Sequence, residues 1–256
     1  KESRMTRYAT PPSPAQGKRR VAAADASTIT TTVTNDNPAA EAVTSALVAA
    51  QAKGIVVIAS GVPADYGFDG PQAGITFTNV DNADYGSKLG GLVADCINER
   101  LDGAGNIIYL QSPLGAQSSD EINEAVKAAI ADGAPDSTIV NTQDAAADRL
   151  GNSQIIASAI QGAPDANVIV GTDDEATLGA LDAAGQAGLD PTAICIVGAG
   201  GNEEAVQSVT DGKIYGEVAF DFEADLGQNL VELHALAADP TADGQQLTVP
   251  INLITP

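Results

Sequence analysis

From residue 27 to the end, the chain alternates short runs of β-branched and aliphatic residues with segments of helical period. The extended runs are "STITTTV" (27–33), "IVVIAS" (55–60), "ITFTNV" (75–80), "NIIYLQ" (106–111), "TIVNTQ" (138–143), "NVIVGT" (167–172), "AICIVGAG" (193–200) and "YGEVAF" (215–220). Strands alternating with helices cannot pair as hairpins. They predict parallel sheets covered on both faces by crossover helices, an α/β doubly wound class.

The intervening segments carry the matching period. A helix opening at Pro38 places Val43, Ala46, Leu47 and Ala50 on one face and closes at Gly54. A second, from Asp84 to Leu101, carries Tyr85, Leu89, Leu92, Val93, Cys96, Ile97 and Leu101. In "SSDEINEAVKAAI", Ser119 is expected as the cap and Ile122, Val126 and Ile130 as the buried stripe. Further helices are expected across Ile155–Ile160, after "GTDDEATL", across Val206 and Val209, and at the end with Leu226, Leu230, Leu233 and Ala237 inward.

Charge narrows the function. The 256 residues carry a formal charge of −22, and six of the twelve basic residues fall in the first twenty positions. Nucleic acid is bound by cations that displace counterions, so an acidic body argues against it, and against an anionic membrane surface. The basic, Pro-rich stretch 1–26 has no apolar core of a signal peptide. It is expected to be a disordered tail, a cloning remnant or a mis-assigned gene start. Cys96 and Cys195 do not make a disulfide framework. Each lies in an apolar setting and is expected as a buried free thiol, with a disulfide left open.

In open parallel sheets ligands lie beyond the carboxyl ends of the strands. The polar residues there give the candidate ligand-binding set: Thr34, Ser60, Asn79, Asp120, Asp173, Gly200 and Asp221. The set holds hydroxyl, amide and carboxylate groups and no basic residue. It suits a neutral polyhydroxylated ligand, since carboxylates accept strongly from hydroxyl groups. In "TDDEATL", Asp174 and Glu175 are expected only to complement the helix N-terminus, and Asp173 to face the ligand.

Chemistry is hard to assemble. The one histidine, His234, lies mid-helix, and no serine sits in a nucleophile elbow. No His/Cys cluster suggests a metal. "VGAGGNEEA" carries Glu203 where the third glycine of a dinucleotide loop belongs, so a tight strand-to-helix turn is expected. The reading is a binding protein with no catalytic residue, no metal and no cofactor.

The ordered pieces "AAQAKGIVVIAS", "NVDNADYGSKLGGLVA", "GTDDEATLGALDAAGQAG", "ICIVGAGGNEEAVQSVTDGKIYGEV" and "FDFEADLGQNLVEL" resemble the periplasmic sugar-binding proteins of the ribose/galactose type. The resemblance covers most of residues 27–256. It implies two α/β lobes, with parallel doubly wound sheets, that close on a ligand about a hinge. One lobe would be 27–80 plus 219–248, the other 82–218, and 249–256 would form a final crossover and C-terminal strand. Crossovers would fall near Asn79 to Asn82, Val218 to Asp221, and Thr248 to Ile251. The family opens with two further βα units, about 60 residues at the usual size of such a unit, so the first lobe is expected to be incomplete.

The resemblance also implies a small neutral sugar or polyol as ligand, the membrane subunits of an ABC importer as partners, a monomer, and a periplasmic or cell-surface location. Site positions depart from the family's pattern. Gly200 stands where an acid is common, Asp120 where an Arg is common, Ser60 and Gly61 where an Asp-Arg pair is common, and Asp221 where a Gln or Asn is common. Ribose itself is therefore not the expected ligand. The other function considered is the effector domain of a lac-repressor-type transcription regulator, which shares the fold and would need a helix-turn-helix ahead of residue 27.

Overall fold

The computed structural model describes residues 38–114 and 117–256. The strand expected at 27–33 and the site candidate Thr34 lie outside the described residues. The elements are α1 (Pro38–Gln51), β1 (Val57–Ser60), a 3-10 turn (Pro63–Tyr66), β2 (Ile75–Asn79), α2 (Asn82–Arg100), β3 (Asn106–Gln111), α3 (Gln117–Gly133), β4 (Thr138–Asp144) and α4 (Arg149–Gly162). They continue with β5 (Val168–Gly171), α5 (Asp174–Gln186), β6 (Cys195–Gly200), α6 (Glu203–Thr210), β7 (Gly216–Phe220), α7 (Phe222–Ala238), β8 (Gln246–Thr248) and β9 (Ile251–Ile254).

The strands make two sheets. The larger has the order β4-β3-β5-β6-β7-β9, parallel except for β9, which runs antiparallel to β7. Among the described residues the smaller is β1-β2-β8, all parallel.

The period of two along each strand divides the larger lobe's core. Ile107, Tyr109, Val168, Val170 and Val197 face α2 and α3, whereas Ile108, Leu110, Ile169 and Ile196 face α4, α5 and α6. Helices α2 and α3 approach closely because α2 offers glycines four residues apart. A Cβ on Gly86 would lie 2.5 Å from the Ile122 carbonyl oxygen, and one on Gly90 equally close to that of Val126.

This packing brings Cys96 of α2 against Cys195 at the start of β6. Their Cα atoms are 5.9 Å apart and the sulfurs are bonded. The free-thiol expectation is thereby corrected: the two residues are 99 apart in sequence, and only the tertiary fold joins them.

Two helix expectations also change. α3 begins at Gln117, so Ser119 lies inside its first turn rather than at the cap. In α7 the expected inward face is reversed, with Leu226 and Leu230 58% and 55% exposed. Asp225 and Gln228 instead turn toward the smaller sheet. The Thr78 hydroxyl donates to Asp225 at 3.3 Å, and the Gln228 amide donates to Asp225 and to the Thr248 carbonyl oxygen, both at 2.9 Å. Asp225, Gln228 and Asn229 recur at helical spacing on one face, and their bonds to β2 and β8 set that polar side, not the leucines, against the smaller sheet.

Among the described residues the chain passes between the sheets three times, each time at strand carboxyl ends: from β2 to α2, from β7 to α7, and from β8 to β9. The passages lie side by side. Val249 N–H donates to the Asn79 carbonyl oxygen, and Asp221 N–H to that of Pro250, both at 2.9 Å.

Candidate functional site

Because three short passages join the sheets at their carboxyl ends, those ends border one gap. Six of the seven sequence candidates fall at or just after them. Ser60 and Asn79 end β1 and β2, Gly200 ends β6, Asp173 and Asp221 follow β5 and β7, and Asp120 lies in the first turn of α3, after β3.

Strand order sorts these residues. β5, β6 and β7 are neighbours, so Asp173, Gly200 and Asp221 come together on the larger lobe. Ser60 and Asn79 sit on paired strands of the smaller one. The Asn79 side-chain oxygen accepts from Gln246 at 2.6 Å, and the Ser60 carbonyl oxygen accepts from the Tyr66 hydroxyl. Asp120 is exposed beyond β3, the strand on the other side of β5.

The triple acid divides differently from the sequence expectation. Asp173 is itself the cap of α5, accepting the Ala176 N–H at 2.7 Å, and it remains exposed. Asp174 is not merely a complement to the helix end. Its carboxylate reaches across to the β6–α6 turn and accepts the Asn202 N–H at 2.9 Å. Glu175 likewise ties helices together, accepting the Arg149 N–H at 2.7 Å. Burial raises the Asp174 carboxyl above its ordinary range, and the flanking acids add to this, while the N–H groups of Asn202 and Gly201 oppose it.

Asp174 can lie there because β6 ends in glycines. Gly200 and Gly201 have φ of 128° and 91°, the region that favours glycine. Asn202 then caps α6, accepting the Ala205 N–H at 2.8 Å. The expected tight turn is what "VGAGGNEEA" forms.

Three groups lie outside the candidate set read from the sequence. Glu217, second residue of β7, is wholly buried, and neither carboxylate oxygen has a hydrogen-bond partner. Burial pushes its pKa up to about 8, with Asp174 adding to the rise. The nearby Gly201 N–H, outside hydrogen-bonding geometry, pulls the other way. In the sheet Glu217 pairs with Gly198, so its side chain leaves on the side that Gly198 and Gly200 leave vacant for α5. Its signal in the sequence was a lone acid in the apolar run "YGEVAF".

Thr172 is the second: its hydroxyl is buried without a partner, one residue before Asp173. The third is Tyr85, whose hydroxyl donates to the Thr172 carbonyl oxygen at 3.3 Å. Its ring stacks on Phe220 at 5.0 Å and 12°. Burial, then the carboxylates of Asp173, Asp174 and Glu217, push its phenol upward.

Asp221 caps α7 through the Ala224 N–H at 2.8 Å and accepts from the Asn252 amide at 2.9 Å, two bonds that hold its carboxyl below the ordinary range. Cations of the larger lobe are engaged elsewhere. Arg149 pairs with Asp182 at 2.6 Å and Glu204 at 2.8 Å, Lys88 pairs with Asp84, and Lys127 donates to Gln111 at 3.2 Å. Among the described residues, no three His, Cys, Asp or Glu side chains are grouped to hold a metal ion. No helix among them is long and apolar enough to cross a membrane.

Two α/β lobes, joined at their strand ends by three crossings and lined there with hydrogen-bonding groups, define a hinged binding-protein architecture. The chain belongs to the periplasmic binding protein domain family, whose model matches residues 21–239. Among its relatives is the ribose import binding protein of Bacillus subtilis, 29% identical over 144 residues. That alignment covers 56% of this chain and 44% of the relative, so the chain spans less than half the length of the curated relative it matches.

Solved structures share the fold. A periplasmic solute-binding protein of an ABC transporter from Actinobacillus succinogenes, with bound D-allose, superposes with a TM-score of 0.71 at 20% identity, covering 87% of this chain and 76% of that one. The Caulobacter myo-inositol binding protein gives 0.64 at 21% identity, covering 84% and 71%.

Proposed function

We propose that the chain captures a sugar or polyol between its two lobes and hands it to the membrane subunits of an ABC importer. The observation that carries this reading is the hydrogen-bonding wall at the strand ends of both sheets: Asn79 on one side, and Thr172, Asp173 and Asp221 on the other. Such groups accept from and donate to hydroxyls, and none of them is a nucleophile set beside a base. Structures of the same fold with bound D-allose and bound myo-inositol support the ligand class, and the binding-protein family supports capture without turnover.

The lobes are assigned as 27–80 plus 219–248, and 82–218, with 249–256 returning to the larger sheet. The site consists of Thr34, Ser60, Asn79, Asp120, Asp173, Gly200 and Asp221, to which Thr172 and Asp174 are added. A buried disulfide suits an oxidising compartment, which supports a place in the periplasm or at the cell surface. The protein acts as a monomer.

A thermal-shift screen against sugars and polyols tests the reading. A ligand at a hundred times its Kd stabilises the native state by about 2.7 kcal/mol, or roughly 5–10 °C at this chain length. A folded sample whose Tm moves with no member of the panel would sink the proposal.

A further inference from the structure

The site holds more acid than a neutral sugar can use. Asp173 and Asp221 lie at the strand ends, each already accepting a backbone N–H, and their spare lone pairs suit hydroxyl donors. Asp174 and Glu217 differ from them. Glu217 is fully buried, its oxygens lack partners, and it extends on the side of the sheet where Asp174 fills the space beside Gly200. The Thr172 hydroxyl, also buried and unpartnered, stands one residue from Asp173.

Among the described residues, neighbouring elements supply no compensating cation. From α5 come Asp173 and Asp174, and from α2 comes Tyr85. The β6–α6 turn offers only backbone N–H groups, and β9 pairs Ile254 with Glu217. Arg149, Lys88 and Lys127 are held by other partners. Two buried or half-buried carboxyl groups side by side are costly when a positive charge is missing, and become favourable when one arrives. Among the described residues no three ligating side chains are grouped as a metal ion would need, so an organic cation fits better. An ammonium group needs only two or three acceptors.

We propose that the solute carries a protonated amine on its polyhydroxyl frame, an amino sugar or amino polyol, with the ammonium beside Asp173 and Asp174 and with Glu217 behind them. The proposal rests on the capture reading and narrows it. The hydroxyl-accepting wall recognises the frame, and the acid cluster recognises the charge.

Titration calorimetry on the full chain at pH 7 with matched pairs tests it: D-galactose with D-galactosamine, D-glucose with D-glucosamine, and myo-inositol with 2-deoxystreptamine. The N-acetylated amino sugars serve as uncharged controls. The aminated member of at least one pair is expected to bind at least about 30-fold tighter than its neutral and acetylated counterparts, with the preference shrinking as salt is raised. Its heat should also depend on the buffer's ionisation enthalpy, because a cation beside Asp174 draws a proton off Glu217.

Asp174→Asn should cut the preference at least tenfold, and Glu217→Gln should abolish the buffer dependence. Neutral members binding as well as aminated ones would overturn the proposal and leave the capture reading intact. Binding by neither would overturn both. If a variant fails to fold, the matched pairs on the unaltered chain still decide.

Discussion

The carboxylate of Asp174 occupies the space in which a side chain on Gly200 would begin: an ideal Cβ there would lie 2.6 Å from Oδ1 and closer still to Cγ. The position where the family resemblance implies an acid is thus filled by an acid from a different element. The β6 end is bare in sequence and occupied in space.

Gly200→Ala should therefore be destabilising on two counts, the collision with Asp174 and a φ of 128°. A loss of about 2–4 kcal/mol is expected in urea unfolding. Adding Asp174→Ala should recover only part of it, because the backbone strain stays. Full recovery would show that the collision is the whole effect.

Glu217 gives a pH dependence of definite sign. Its folded pKa of about 8 lies above the ordinary 4.5, so the folded state holds a proton that the unfolded state has released. Stability then falls as pH rises from about 4.5 to about 8 and levels off above, a change on the order of a few kcal/mol. Glu217→Gln should flatten this profile in chemical denaturation at pH 5, 7 and 9. An unchanged slope in the variant would place the dependence elsewhere.

Cys96→Ala with Cys195→Ala opens a cross-link between residues 99 apart. Since both sulfurs lie in the core between α2 and the sheet, the double variant should lose about 2–4 kcal/mol. Reductant should lower the Tm of the parent and leave that of the variant unmoved.

On α7, Phe222, Leu226, Leu230 and Val231 are 55–68% exposed. An apolar stripe on a chain of charge −22 is kept apart from other copies by repulsion that salt screens. Light scattering should show self-association growing with salt. Leu226→Gln with Leu230→Gln should suppress it while changing stability by no more than about 0.5 kcal/mol.

Much of this architecture was legible as pattern. Strands such as "NIIYLQ" stood out as short apolar runs, though only the fold splits Tyr109 from Leu110, and the α2 stripe pointed to its buried face. What the pattern could not carry was pairing at a distance. Cys96 and Cys195 meet only when α2 lies on β6, and Asp174 meets Gly200 only when β5 and β6 are neighbours. Nor could period show that α7 packs by its polar stripe of Asp225, Gln228 and Asn229, or that the acid in "YGEVAF" points inward. The strand-end rule pointed to Asp173 and Asp221, which do follow β5 and β7, and passed over Glu217 because that carboxyl lies within β7 rather than at its end.

The inward side of α7 carries a last consequence. Leu236 is its one fully buried apolar side chain, and Asp225, Gln228 and Asn229 bond to one another and to β2 and β8. Polar bonds at a partly wetted seam compete with water on nearly even terms, unlike the dry layers around β3, β5 and β6. The two lobes should therefore breathe at different rates. Amide protons of α7 and β8 should exchange with deuterium well before those of β5 and β6, so that the smaller lobe opens while the larger is still closed to solvent.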